Sequence, residues 1–105
     1  MKLYYIKLTI NNKTLYKIGY TTRTLKQRFS KWTKYNVELL FVIETSRAKT
    51  LEQTLIKLNH HKLVTNPVSL REVFGEDIFK VGLATITLQY LIELENEFFI
   101  QQAEL

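Results

Sequence analysis

Three charged residues stand where this chain ought to be apolar. Lys17 lies in the middle of a strand-like run, between Tyr16 and Ile18 and close before Gly19. Arg28 adjoins a helical stripe of Leu25, Phe29 and Trp32. Glu52 lies one turn from Ala48 and one turn from Leu55 and Ile56, so a carboxylate borders a second buried stripe. A charge taken out of water alone is expensive, so each of these is expected to have a partner. Two arrangements satisfy that expectation. Glu52 paired with Arg28 or Lys17 is a structural ion pair, the commoner use of such residues. Glu52 holding a divalent cation, with Arg28 and Lys17 facing a phosphate, is a site that cuts phosphodiesters.

The elements that must position these groups follow from periodicity. Leu3 to Ile10 alternates, with Tyr4, Ile6, Leu8 and Ile10 on one face and Leu3, Tyr5, Lys7 and Thr9 on the other, which predicts a strand. Asn11-Asn12 predicts a turn, because Asn tolerates positive φ. Thr14 to Gly19 is the returning strand, so the chain opens with a hairpin. Thr21 or Thr22 caps a helix that begins near Arg23, with Lys26, Lys31 and Lys34 off its apolar stripe. Val37 to Glu44 predicts a third strand, apolar enough to be central. Thr45 or Ser46 caps a second helix with an apolar stripe of Ala48, Leu51, Leu55 and Leu58, ending near His60 and His61. From His60 to Lys80 the pattern is irregular, with Pro67 and a short turn or strand ending in FGEDIFK. Val81 to Gln101 predicts a long helix with Leu83, Ile86, Tyr90, Leu94 and Phe98 on one face, Leu91 and Phe99 widening it and Gly82 weakening its start. The order β-β-α-β-α, an irregular piece, then α predicts an α+β fold: a small three-stranded antiparallel sheet flanked by helices. One domain is expected over 1–105, with a core unit at 1–80 and a C-terminal helix at 81–105.

Composition narrows the chemistry. The 105 residues are 46% hydrophobic, enough for one core, and include no cysteine, which excludes disulfides, thiolate metal sites and cysteine catalysis. Charges interrupt every apolar run before it could span a bilayer, and MKLYYIKLTI has the form of a strand, not of a signal peptide. A cytoplasmic protein is expected, in the host cell cytoplasm if the source is viral. The net charge is +5, and it is unevenly spread. Met1 to Val37 carries nine basic residues and no Asp or Glu, whereas Val81 to Leu105 carries Glu93, Glu95, Glu97 and Glu104 with no Lys or Arg. A folded basic block attracts phosphates, although a solvated face with no specific partner is the plainer reading. The interleaved Tyr4, Tyr5, Tyr16, Tyr20, Phe29, Trp32 and Tyr35 favour nucleic acid, since bases stack on aromatic rings. Lys7, Arg23, Lys26, Lys31 and Lys34 are the candidate nucleic-acid contacts.

The segment LYYIKL, followed after a turn by LYKIGYTTRTLKQRF, resembles the paired-strand signature and first helix of the GIY-YIG nuclease superfamily. It is most similar to the phage and virus branch in which the second motif reads KIG in place of YIG. The order of elements agrees, as does a helix carrying Glu after the third strand, here within AKTLEQTLIKL. The resemblance covers about residues 3 to 80 and is strongest over 14 to 29, while the first motif lacks its Gly and retains Leu3-Tyr4. It implies a metal-dependent endonuclease or nicking enzyme acting on DNA, with a single Mg²⁺ or Mn²⁺ ion. Tyr4 matches the tyrosine whose phenol lies near the attacking water. Lys17 stands at the YIG tyrosine and would contact the scissile phosphate as a point charge. Gly19 matches the glycine that lets the backbone turn tightly beside the site. Arg28 matches the arginine that would stabilise charge on the phosphorane-like transition state. Glu52 matches the metal-binding glutamate.

The chain also departs from the pattern. Trp32 occupies the place, one turn after the helix arginine, where a histidine often stands, so the base would be Tyr4 or a metal-bound water. His60 and His61 follow Glu52 by about two turns and either reach the site edge or lie exposed against the helix dipole. In FGEDIFK, which resembles the acidic-aromatic closing motif of the branch, Phe74 and Phe79 are expected in the core and Glu76 and Asp77 in solvent. Tyr20, at a small-residue place, lines the groove or packs. The alternative to an enzyme is a catalytically inactive phage protein on the same fold that binds nucleic acid or a host protein. Lone-domain length favours that alternative, since homing-type enzymes attach a separate DNA-reading domain. The acidic end meeting the basic face of another copy would make a homo-oligomer. On the enzyme reading, Tyr4, Lys17, Arg28 and Glu52 converge on one surface.

Overall fold

The computed structural model describes residues 1–30, 35–65 and 72–103. The chain begins with two long strands, β1 (Lys2–Ile10) and β2 (Lys13–Thr21), paired antiparallel in unbroken register from Lys2↔Thr21 to Ile10↔Lys13. The turn between them is two residues long, and both have positive φ, 50° at Asn11 and 65° at Asn12. A two-residue turn with two left-handed residues matches the right-handed twist of the strands it joins, which is why Asn stands at both places.

β3 (Asn36–Glu44) pairs with the other side of β1, with a register shift between Tyr5 and Ile6. Two further strands of two residues each, β4 (Leu63–Val64) and β5 (Val73–Phe74), complete an antiparallel sheet of order β3-β1-β2-β5-β4. The sheet therefore has five strands where three were expected, because a two-residue strand leaves no alternation to read. The expected place of β3 is also corrected. β1 is the central long strand and β3 is an edge, with Leu39 and Val42 exposed. An apolar run does not by itself make a strand central; cover on both faces does.

β1 has that cover. Leu3, Tyr4, Tyr5 and Ile6 are all fully buried, so successive side chains enter two different cores. On one face Leu3, Tyr5 and Ile18 pack with Leu51 and Leu55 of α2 (Ala48–Leu58) and with Leu91 of α3 (Leu88–Ala103). On the other face Tyr4, Ile6, Leu8, Leu15 and Val73 pack with Leu25 and Phe29 of the five-residue α1 (Leu25–Phe29). The cap of α1 is Thr24, in a capping box with Gln27, and not Thr21 or Thr22. Thr21 instead accepts a hydrogen bond from the Arg23 backbone N–H, and Thr45 does the same for Arg47 one residue before α2. No described helix is long and apolar enough to cross a membrane.

The segment before α3 departs from the expected long helix. Leu83–Thr85 is a 3₁₀ turn, and Thr87 caps α3 by accepting from the Tyr90 N–H, so the helix starts seven residues after Val81. Leu83 is exposed, while Ile86, Leu91 and Leu94 join the core. Asp77 is exposed, as expected, yet its carboxylate also accepts from the Tyr5 hydroxyl at 2.6 Å and from the Phe79 N–H at 3.0 Å, and the Tyr5 oxygen accepts from the Ile78 N–H at 3.1 Å. Burial and the Asp77 hydrogen bond push the Tyr5 phenol far above its ordinary value. This closed set of bonds ties the 77–79 segment to the middle of β1. Tyr5→Phe leaves the Ile78 N–H and Asp77 each short of a partner, so it is expected to cost about 1–3 kcal/mol in urea unfolding. An unchanged midpoint would show that the segment is held by packing alone.

Candidate functional site

The face that carries α1 gathers most of the singled-out residues. Tyr4 and Gly19 are cross-strand partners on β1 and β2. Gly19 has no left-handed φ, so it does not serve a tight turn as the motif implied. It serves space instead: a Cβ there would lie 2.4 Å from the Tyr4 hydroxyl oxygen and 2.5 Å from its ring carbon Cζ. The hydroxyl end of the Tyr4 ring occupies the space a side chain at Gly19 would need. Phe29 meets the ring edge-on at 5.1 Å, and the Arg28 guanidinium carbon sits 5.7 Å from its centroid.

The Tyr4 hydroxyl is buried and makes no hydrogen bond of normal geometry among the described residues. Its pKa is raised, chiefly by burial, with Glu52 adding and the neighbouring Arg28 opposing. Lys17 lies two residues before Gly19, on the same face of β2. Its ammonium is pushed down, first by burial and also by Arg28, against the attraction of Glu52 and Glu72. Glu52 comes from the other side of the sheet, since α2 packs its Leu51 and Leu55 on the Tyr5 face. Its charge is still felt by Tyr4 and Lys17. α2 makes more of its contacts with β2 than with β1, and β5 pairs with β2 only at Tyr16↔Phe74, so beyond Lys17 the edge of β2 has no strand beside it among the described residues. The Glu52 carboxyl is held above its ordinary value, first by burial and then by Glu72, with Lys17 and Lys49 opposing.

The charges of Tyr4, Lys17, Arg28 and Glu52 thus influence one another, but α1, which carries Arg28, and α2, which carries Glu52, lie on opposite faces of the sheet, where one shared surface was expected. Glu72 acts on Lys17 and Glu52 as well and was missed from the sequence. It lies in the irregular segment, and its one signal, a left-handed φ of 54°, is visible only in the fold. Glu52 takes part in no ion pair among the described residues, although its charge and that of Lys17 attract each other.

Other expected contacts lie apart from these groups. Lys7 alternates onto the Tyr5 face, opposite Lys17, with Glu38 as its neighbour on β3. Arg23 and Lys26 line a shallow depression beside α1 with Gln27 and Ser30. Lys31, Trp32 and Lys34 lie outside the described residues. His60 and His61 are exposed in a 3₁₀ turn, and His61 lines a groove with Glu76 and Asp77 on the Tyr5 side. Of the interleaved aromatics that are described, Tyr4 and Tyr5 are fully buried core residues, while Tyr16 and Tyr20 pack partly buried on one core and Phe29 and Tyr35 on the other. Among the described residues no three acidic or histidine side chains cluster as metal ligands.

A family model described as the T5orf172 domain matches residues 2–87. The chain belongs to that family, a phage-associated domain of nuclease type. No curated protein and no solved structure matches it.

Two outcomes follow from this geometry. Gly19→Ala is expected to cost about 1–3 kcal/mol through overpacking against Tyr4. Most of that cost should vanish in a Tyr4→Ala background, and a double-mutant cycle that is simply additive would refute the contact. Glu52, whose folded pKa is raised, contributes stability that is full below its ordinary value of 4.5 and is lost as pH rises through the folded value. Glu52→Gln should therefore melt higher than the wild type at neutral pH, by about 2–4 °C. The gap should close toward the acid side, and a variant that melts lower at neutral pH would contradict the assignment.

Proposed function

We propose that this member of the T5orf172 family is a metal-dependent endonuclease or nicking enzyme of GIY-YIG type that hydrolyses DNA phosphodiesters. One observation carries the reading: a buried phenol, two cations and a carboxylate from separate elements act on one another. Confining four such groups is costly, and perturbed groups clustered in this way mark sites of chemistry.

Hydrolysis adds the oxygen of water to phosphorus, breaks a P–O bond and delivers a proton to the leaving oxygen. Lys17 and Arg28 face the non-bridging oxygens, Lys17 as a compact charge and Arg28 as a planar donor fork. Both stabilise the negative charge that grows in the transition state. The raised Tyr4 phenol keeps its proton in neutral solution, so it orients the attacking water and does not deprotonate it. The donor set fits a divalent cation, since Glu52 is a half-buried carboxylate with no ion pair among the described residues and the Tyr4 hydroxyl makes no hydrogen bond of normal geometry among them. Mg²⁺ or Mn²⁺ held by Glu52 would supply Lewis acidity and steady the leaving oxygen. Arg23 and Lys26, on the adjoining surface, bind the flanking backbone.

Supercoiled plasmid incubated with Mg²⁺ or Mn²⁺ tests this. The wild type should convert it to the nicked form, and Glu52→Ala and Arg28→Ala should each slow conversion by about 10²-fold or more. Cutting that survives both substitutions would sink the site. Salt-sensitive binding without cutting would select the inactive nucleic-acid-binding alternative, and no binding at all the host-protein one.

A further inference from the structure

Among the described residues, neither the fold nor the proposed chemistry uses the outer edge of β3. This strand runs for nine residues, Asn36–Glu44, and stands first in the sheet order, so only its β1 side is paired. The other side presents backbone N–H and C=O groups with no described strand to bond, a ready template for another strand. Proteins blunt such an edge by keeping it short, by placing Lys or Pro on it, by covering it or by twisting it with a bulge. NVELLFVIE is long and carries neither Lys nor Pro. It does carry a bulge: Tyr5 faces Phe41 while Ile6 faces Leu39, which leaves Leu40 as the extra residue. Here the bulge gathers apolar surface. Leu39 and Val42, three residues apart, fall on one face, because their partners Ile6 and Tyr4 share a face of β1. Leu39 is 43% exposed and Val42 41%, so an open edge and an apolar patch coincide.

An edge dictates the form of its occupant, which is another extended strand. Charge and symmetry select which one. Glu38 and Glu44, the only charges on β3, lie opposite Lys7 and Lys2 of β1. Each carboxylate thus has a lysine of its own chain across from it, so the edge neither calls for a basic foreign strand nor repels a copy. An antiparallel pair of identical strands is closed by a two-fold axis, the commonest symmetry of assemblies. With that axis perpendicular to the sheet, the same face of both copies looks the same way. Leu39 and Val42 of one copy then lie beside Leu39 and Val42 of the other and cover them. We propose that two copies of this chain pair antiparallel through their β3 edges, joining two five-stranded sheets into one of ten strands. From the order β3-β1-β2, the two strands that carry Lys17 are then five strand spacings, roughly 24 Å, apart. Each candidate site stays within its own chain, so the pairing stands or falls apart from the nuclease reading.

Sedimentation equilibrium tests it. In the micromolar range the wild type should show twice the 12.5 kDa mass of one chain. Leu39→Lys/Val42→Lys places like charges beside one another across the axis, at positions already exposed, and should sediment as a monomer with an unchanged circular dichroism spectrum. A second readout does not depend on that variant. The chain has no cysteine, so Leu39→Cys and Val42→Cys each supply a lone thiol. Mixed and mildly oxidised, they should form a covalent dimer, whereas Val64→Cys, exposed on β4 at the far side of the sheet, should not. A wild type that stays monomeric to millimolar concentration would overturn the proposal and leave the edge to a foreign strand. A dimer that persists in the double-lysine variant, or that cross-links as readily through Val64→Cys, would place the contact elsewhere and overturn it too.

Discussion

Leu3, Tyr4, Tyr5 and Ile6 have no exposed surface, and the rest of the molecule is arranged to make that possible. A strand buried on both faces needs a roof on each, and the roofs must come from different parts of the chain. α2 and α3 close one side, while α1 with Val73 closes the other. The two adjacent tyrosines divide the work. Tyr5 satisfies its hydroxyl by binding the 77–79 segment. Tyr4 is left with a hydroxyl that nothing described satisfies. Of two chemically identical residues one apart, one serves the architecture and the other is open to the proposed chemistry.

The same constraint bears on groups that act on one another from opposite roofs. A complete strand beside β2 would separate α2 from Lys17. β5 is two residues long and, among the described residues, pairs with β2 at Tyr16 alone, so no strand is described beside Lys17. The raised carboxyl of Glu52 and the lowered ammonium of Lys17 come first from burial, and the attraction between the two opposes both shifts.

Much of this was legible in the residues. Two consecutive Asn between alternating runs located the hairpin, and Leu51 and Leu55 at helical spacing located the buried side of α2. Lys17, Arg28 and Glu52 drew notice because charges bordered apolar stripes. What escaped was what depends on contacts distant in sequence. β4 and β5 are too short to carry a period, and Glu72 stands in a segment with no pattern at all. β1 and β3 read alike as apolar strands, and only the docking of two helices decides which is central. Gly19 was noticed for the wrong property: flexibility was expected, while the missing side chain is what Tyr4 requires. Asp77 is the exposed acid the sequence suggests, but its acceptor role was illegible because it depends on Tyr5, 72 residues earlier.

Glu95 of α3 is fully buried and bonded to Arg47, the residue immediately before α2. The family match ends at residue 87, before this helix begins. Kinship and cohesion thus draw different borders on this chain. The inherited segment supplies the proposed chemistry, yet the helix on which Glu52 rides is fastened at its start by a carboxylate from outside that segment. Excising residues 2–87 as a portable module would leave Arg47 without Glu95 and uncover Leu51 and Leu55, so heredity and folding assign this protein different smallest units.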